Sequence, residues 1–188
     1  NTYCQDNELS WLDWTLPHTE PGAALHRHVA HLIALRRQYP TLRRTEFQHA
    51  RIELAPGLRD VFWFDERGVE LGIEDWNNAV ARVLGLRRAA AQGDGSFELT
   101  LLLSNSDSAA HRFVLPAPRL EYAVLLDTGR TDSAPAFSVR ETCEVGAHSL
   151  VLLAARVRAE ALVAAEETAG AGGAEDYGDA DGITADAA

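Results

Sequence analysis

Apolar residues in the first part of the chain recur at helical intervals, and further on they recur every second position. Leu25, Val29, Leu32 and Ile33 fall on one face of a helix, with Arg27 and His31 on the other. The spacing predicts an amphipathic helix over residues 23–39 that stops before Pro40, because the residue ahead of a proline is pushed out of the helical region. Residues 1–24 are rich in Trp, Asn, Asp and Pro. They predict a loop, a short helical turn over residues 9–14 with Ser10 and Asp13 at capping spacing, and a second loop broken by Pro17 and Pro21-Gly22.

After Pro40 the period shortens to two. Val61-Phe62-Trp63-Phe64 lies between Pro56-Gly57 and the turn Asp65-Glu66-Arg67-Gly68, and Val80, Arg82, Leu84 and Leu86 mark a third segment. Phe97, Leu99, Leu101 and Leu103 alternate with Glu98, Thr100 and Leu102, the pattern of a strand that buries one face against a second sheet. Further strands are expected at residues 112–115, 121–127 and 149–154, the last two with continuous apolar runs. Short strands at roughly 8–12 residue spacing predict a mostly-β chain whose main domain is an antiparallel β-sandwich. That domain should occupy residues 46–155. Residues 156–188 turn to Ala, Gly, Glu and Asp; a helical stub over residues 156–165 and a disordered acidic tail beyond it are expected.

Composition narrows the partners. The formal net charge is −11, and all 17 basic residues are arginine. That balance repels phosphate backbones and anionic lipid surfaces, so neither nucleic acid nor membrane is an expected partner, whereas a neutral sugar is indifferent to the field. No stretch reads as a bilayer-spanning helix. A chain that opens on Asn1 and contains no methionine is expected to be a piece of a longer one.

Cys4 and Cys143 stand far apart with no CxxC or Cys/His spacing, and are expected to be free, reduced thiols. His26, His28 and His31 offer spacings of two and three rather than the i, i+4 pair of a helical metal site, and no metal or other cofactor is expected. No Gly-x-Ser-x-Gly elbow is present. The densest polar and aromatic cluster is residues 1–8, followed by Trp11 and Trp14. Carboxylates and amides that can bond vicinal hydroxyls, together with flat aromatic faces, make up the vocabulary of a sugar site. The same residues can instead satisfy backbone N–H groups of a turn. Asp6 and Glu8 are two residues apart in one loop, whereas the carboxylates of a retaining glycosidase usually come from separate elements; Glu74-Asp75 and Glu166-Glu167 fall short on the same ground.

The run Asn1-Thr2-Tyr3-Cys4-Gln5-Asp6-Asn7-Glu8-Leu9-Ser10-Trp11-Leu12-Asp13-Trp14 resembles the segment Asn-x-Tyr-Cys-Gln-Asp-Asn-x-x-(Ser/Thr)-Trp-x-(Asp/Asn)-Trp of bacterial glycogen-debranching enzymes. These are isoamylase-type glycoside hydrolases of the α-amylase superfamily. The resemblance continues through Leu35-Arg36-Arg37-Gln38-Tyr39-Pro40-Thr41-Leu42-Arg43-Arg44, Asp60-Val61-Phe62-Trp63-Phe64 and Glu74-Asp75-Trp76, and into the strands of that family's C-terminal sandwich. It covers residues 1–155. Where the family's turn commonly has a proline, this chain reads Phe64-Asp65-Glu66-Arg67-Gly68, and Ser104 precedes Asn105 where an apolar residue is more usual.

The resemblance implies that residues 1–45 are the last loop and helix of a truncated (β/α)8 barrel, followed by the sandwich. The family's catalytic carboxylates would precede Asn1, so no catalytic residue is expected here and the chain alone should be inert. The parent would be a retaining, cytoplasmic α-1,6-glucosidase acting on glycogen or another branched α-glucan. Tyr3, Gln5, Asp6 and Asn7 would line its substrate subsites. The rival reading is a stand-alone carbohydrate-binding or structural sandwich, in which an exposed aromatic such as Trp63 or Trp76 meets the sugar; the debranching reading expects little or no binding by the sandwich itself.

Overall fold

A computed structural model describes residues 4–130 and 137–162 of the chain. The chain divides between Glu46 and Phe47 into two compact units.

The first unit is built on one helix, α1 (Glu20–Gln38). It begins at Glu20 rather than at residue 23, and the Pro21-Gly22 pair that reads as a break is its first turn. A proline there loses no helical hydrogen bond. Thr19 caps the turn: its hydroxyl accepts from the Gly22 N–H at 3.2 Å and donates to the Leu16 carbonyl at 2.7 Å. Only glycine fits at position 22, since a Cβ would stand 1.9 Å from the Leu16 carbonyl oxygen. At the other end Tyr39 is extended ahead of Pro40, as expected.

Residues 9–14 form turns rather than the predicted helical turn. The Ser10 hydroxyl bonds back to the Gln5 and Asn7 carbonyls, and Asp13 Oδ1 accepts from the Thr15 N–H at 2.9 Å and its hydroxyl at 2.6 Å. The helical geometry is thereby displaced to a 3-10 turn at Leu16–His18. The amphipathic face of α1 is present but uncovered: Leu25, Val29, Leu32 and Ile33 are all exposed, and the helix's buried residue is Leu35.

The second unit is mostly β. β1 (Glu53–Ala55) and β2 (Leu58–Arg59) form a small hairpin across Pro56-Gly57. β3 (Val61–Phe64) follows and, after the short helix α2 (Ile73–Trp76), come β4 (Val83–Ala91), β5 (Ser96–Asn105), β6 (His111–Val114) and β7 (Tyr122–Asp127). β8 (Ser138–Val139), β9 (Thr142–Val145) and β10 (Ser149–Arg158) complete the order. Six of these make one antiparallel sheet in the order β3-β4-β5-β10-β7-β8, while β6 and β9 pair as a separate small sheet.

β5 is the spine of the large sheet, paired along its length with β4 and β10. Its Phe97, Leu99, Leu101 and Leu103 are buried with Val151 and Leu153 of β10, and against them pack Phe113, Cys143 and Val145 of the small sheet. This is the predicted sandwich, and each fully buried Leu, Val or Phe stabilises it by roughly 1.5–3 kcal/mol. The predicted alternation holds at Leu102, which is 37% exposed, but Glu98 and Thr100 on the same face are buried.

The third segment differs from expectation. Val80 is exposed, and the strand runs from Val83 to Ala91 with Gly85, Arg87 and Ala89 set opposite Leu103, Leu101 and Leu99. A glycine and an arginine in core positions carry no apolar signal. Arg87 is buried, its guanidinium donates to the Ala117 carbonyl and lies 4.9 Å over the Phe62 ring, and burial pulls its pKa down. The predicted stub at residues 156–165 is also corrected, because β10 continues to Arg158. Arg156 donates there from Nε to Ser96 Oγ at 2.8 Å and from a terminal nitrogen to Asp94 Oδ2 at 3.1 Å. Among the described residues of that stretch, helical geometry appears at residues 159–162; the rest of the expected stub and the acidic tail lie outside the described residues.

Candidate functional site

Of the four residues expected to meet substrate, Tyr3 lies outside the described residues, and Gln5, Asp6 and Asn7 share one turn of the first unit. Asn7 organises the turn. Its Oδ1 accepts from the Leu9 N–H at 3.0 Å, its Nδ2 donates to Gln5 Oε1 at 2.9 Å, and its carbonyl accepts from the Ser10 and Trp11 N–H groups at 2.9 and 3.1 Å. Asp6 Oδ1 accepts from the Trp11 indole N–H at 2.7 Å. Each of the three side chains therefore spends part of its bonding capacity on the turn. What remains outward is the Gln5 amide nitrogen and the second Asp6 oxygen, neither bonded among the described residues, next to the 62% exposed Trp11. A donor, a carboxylate acceptor and an apolar ring can bind a sugar's hydroxyls and cover its flat face. Asp6 is occupied by Trp11, and Glu8 is exposed.

The other sequence candidates separate. His26, His28 and His31 all lie on α1, and among the described residues no three His, Cys, Asp or Glu side chains are grouped to hold a metal. Both cysteines are free: Cys4 is exposed, while burial, with Asp127 and Glu144 nearby, pushes the Cys143 thiol up to about 11. No described helix is long and apolar enough to cross a membrane.

A second polar and aromatic concentration lies in the second unit. A cleft of about 660 Å3 runs between the Asp65–Arg67 turn, α2 with the loop after it, and the ends of β4 and β5. Trp76 lines it, 54% exposed, with its ring set edge-on to Trp63 at 5.4 Å and 78°. The turn is closed by the Asp65 carboxylate: Oδ1 accepts from the Arg67 and Val69 N–H groups at 2.9 and 3.0 Å, and Oδ2 pairs with the Arg67 guanidinium at 2.7 Å. Burial would raise that carboxyl, but these bonds outweigh it and hold it below the ordinary value. The side chain closes the turn without a proline, and Gly68 supplies the required positive φ of 79°. Of the residues lining this cleft, the sequence offered Trp76 as a sugar-facing candidate, set Asp75 aside as half of a carboxylate pair, gave Arg82 and Ser104 only strand positions, and left Asn78 unmarked. The signal available for Asn78 was the turn-prone Asn77-Asn78 pair between two apolar segments.

The chain thus joins a helix with a Trp-, Asn- and Asp-rich turn to a mostly-β antiparallel sandwich. No family model matches it. Part of it is similar to bacterial glycogen-metabolism proteins. It is 33% identical over 87 residues to the glycogen operon protein GlgX homolog of Mycobacterium tuberculosis, covering 46% of this chain and 12% of the relative. It is 31% identical over 121 residues to the glycogen debranching enzyme of Pectobacterium carotovorum, covering 62% and 15%. It is 36% identical over 83 residues to the glycogen debranching enzyme of Erwinia tasmaniensis, covering 44% and 11%. The chain spans less than a sixth of the length of these curated relatives. These partial similarities support a relationship to glycogen-debranching enzymes.

Proposed function

We propose that this chain is the C-terminal portion of a bacterial, cytoplasmic glycogen-debranching enzyme that hydrolyses α-1,6-glucosidic branch linkages in glycogen or limit dextrin with retention of configuration. Residues 1–45 form the last loop and helix of its (β/α)8 barrel, and the sandwich begins at residue 46 and extends past the expected boundary at 155 to the end of β10 at Arg158, ahead of the acidic C-terminal stretch. The carboxylate pair, about 5–5.5 Å apart in retaining enzymes, precedes Asn1. Tyr3, Gln5, Asp6 and Asn7 contact the branched glucan at the barrel mouth.

The observation that carries this reading is the turn itself: Gln5 and Asp6 present polar atoms outward beside Trp11, in a chain partly similar to proteins named glycogen debranching enzyme. The uncovered apolar face of α1 adds support. Covering what remains exposed of Leu25, Val29, Leu32 and Ile33 would be favourable by roughly 25 cal/mol per Å2 of apolar surface, and a barrel's neighbouring elements would supply that cover.

The test uses the polypeptide extended by the residues encoded ahead of Asn1. It should release oligosaccharides from glycogen limit dextrin, with the α-anomer formed first by proton NMR. Asp6→Ala should raise KM for the branched substrate several-fold. Release of the β-anomer first, or no hydrolysis of branched substrate, overturns the reading.

A further inference from the structure

We propose that the cleft beside Trp76 is a docking site for a neutral α-glucan chain. The choice of α-glucan rests on the debranching reading; the site rests on the cleft. That reading by itself expects the sandwich to bind little or no sugar, and the structure gives reason to depart from it.

The cleft, at about 660 Å3, lies within the roughly 300–1,000 Å3 range of small-ligand sites. One wall is an aromatic surface held rigidly in solvent. α2 is tied down where Asp75 Oδ2 accepts from the Gly72 N–H at 2.8 Å, and Trp63 fixes the Trp76 ring from the side without covering it. A flat indole fixed in this way loses little conformational entropy when a pyranose face covers it. The opposite wall is firm as well, because the Arg82 carbonyl accepts both the Ser106 N–H at 2.8 Å and the Ser106 hydroxyl at 2.9 Å.

Two polar groups lining the cleft are uncommitted among the described residues. Asn78 uses only its Oδ1, accepting from the Val80 N–H at 3.1 Å, which leaves its amide nitrogen; the Ser104 hydroxyl has no partner. Charge gives an ionic ligand no advantage. Of the charged side chains that line the cleft, Arg67 is paired with Asp65 and Glu66 with His111, which leaves Asp75 set against Arg82. A phosphorylated sugar or nucleotide finds no cluster of free cations there, whereas a neutral polyol meets an aromatic face, free donors and carboxylate acceptors. A hydroxyl-rich, uncharged chain fits all three features.

The experiment titrates maltoheptaose into the 188-residue chain by isothermal calorimetry. The expected result is saturable binding that Trp76→Ala weakens at least about tenfold and Asn78→Ala weakens a few-fold, while Phe47→Ala leaves it unchanged. Trp76→Phe keeps an aromatic ring and should retain part of the affinity, which separates loss of the platform from loss of the fold; far-UV circular dichroism checks each variant. No binding by the parent chain, or binding that survives Trp76→Ala, overturns the proposal. If the upstream-extended polypeptide debranches glycogen and the chain binds no maltoheptaose, the cleft proposal alone falls. If the chain binds through Trp76 and the extended polypeptide is inert, the debranching reading alone falls.

Discussion

The ring of Phe64 on β3 lies over Gly85 on β4, its direct cross-strand partner, and a Cβ at position 85 would stand 2.3 Å from the ring's Cε2. Both residues sit in the core, where there is no solvent for the ring to swing into. Gly85→Ala should therefore lower stability by about 1–3 kcal/mol, the usual cost of overpacking. Urea unfolding should show a lower midpoint at unchanged slope. Phe64→Leu in the same background should recover part of the loss, since the clash and the ring disappear together.

Asn105 ends β5 as a buried polar staple. The two hydrogens of its amide nitrogen are shared among the carbonyls of Ala109 at 2.7 Å, Gly146 at 2.9 Å and Val145 at 3.2 Å, and its Oδ1 accepts from the Asp107 N–H at 2.9 Å. Asn105→Ala strands these groups in a buried setting. The expected loss is about 2–3 kcal/mol, because an unsatisfied buried group costs more than a made bond contributes. Hydrogen exchange should accelerate most at residues 107–111 and 145–149.

His111 bridges the small sheet to the turn after β3. Its Nδ1 lies 2.7 Å from Glu66 Oε2 and its Nε2 lies 3.1 Å from Asp107 Oδ2. The bond to Glu66, then that to Asp107, raises the imidazole pKa above 6.5, and the bond to His111, then the Ser108 N–H, lowers the Asp107 carboxyl below 3.8. A raised histidine stabilises the fold fully below its unfolded pKa and loses that contribution as pH rises through its folded one; a depressed carboxylate contributes above its unfolded pKa and loses that contribution as pH falls through its folded one. The bridge therefore works in the window between them. The Tm deficit of His111→Ala relative to the parent chain should be larger at about pH 5.5 than at about pH 8.5. Equal deficits at both values would contradict the bridge.

Much of the fold is legible in the sequence where period and burial agree. Phe97, Leu99, Leu101 and Leu103 announce β5 because a strand with one buried face must alternate. β4 is illegible by the same rule, since Gly85 and Arg87 occupy inward positions for reasons that lie on neighbouring elements: the Phe64 ring and the Ala117 carbonyl. β9 carries its alternation in Cys143 and Val145 alone, too short a run to stand out. The start of α1 is hidden because Pro21-Gly22 breaks a helix interior but suits a first turn.

The candidate loop is visible as composition, yet its division of labour is not. Asp6 and Trp11 are five apart and meet only because Asn7 bends the backbone between them. The cleft is less legible still. It gathers residues from 65 to 106, and no local pattern in sequence records that Asn78 and Ser104 face one space.

The most direct test of the account is to measure, on the same glycogen limit dextrin, hydrolysis by the chain alone and by the polypeptide extended ahead of Asn1. The account predicts new reducing ends only from the extended polypeptide, and their loss when carboxylates of the added segment are replaced by amides. Hydrolysis by the 188-residue chain alone would contradict it.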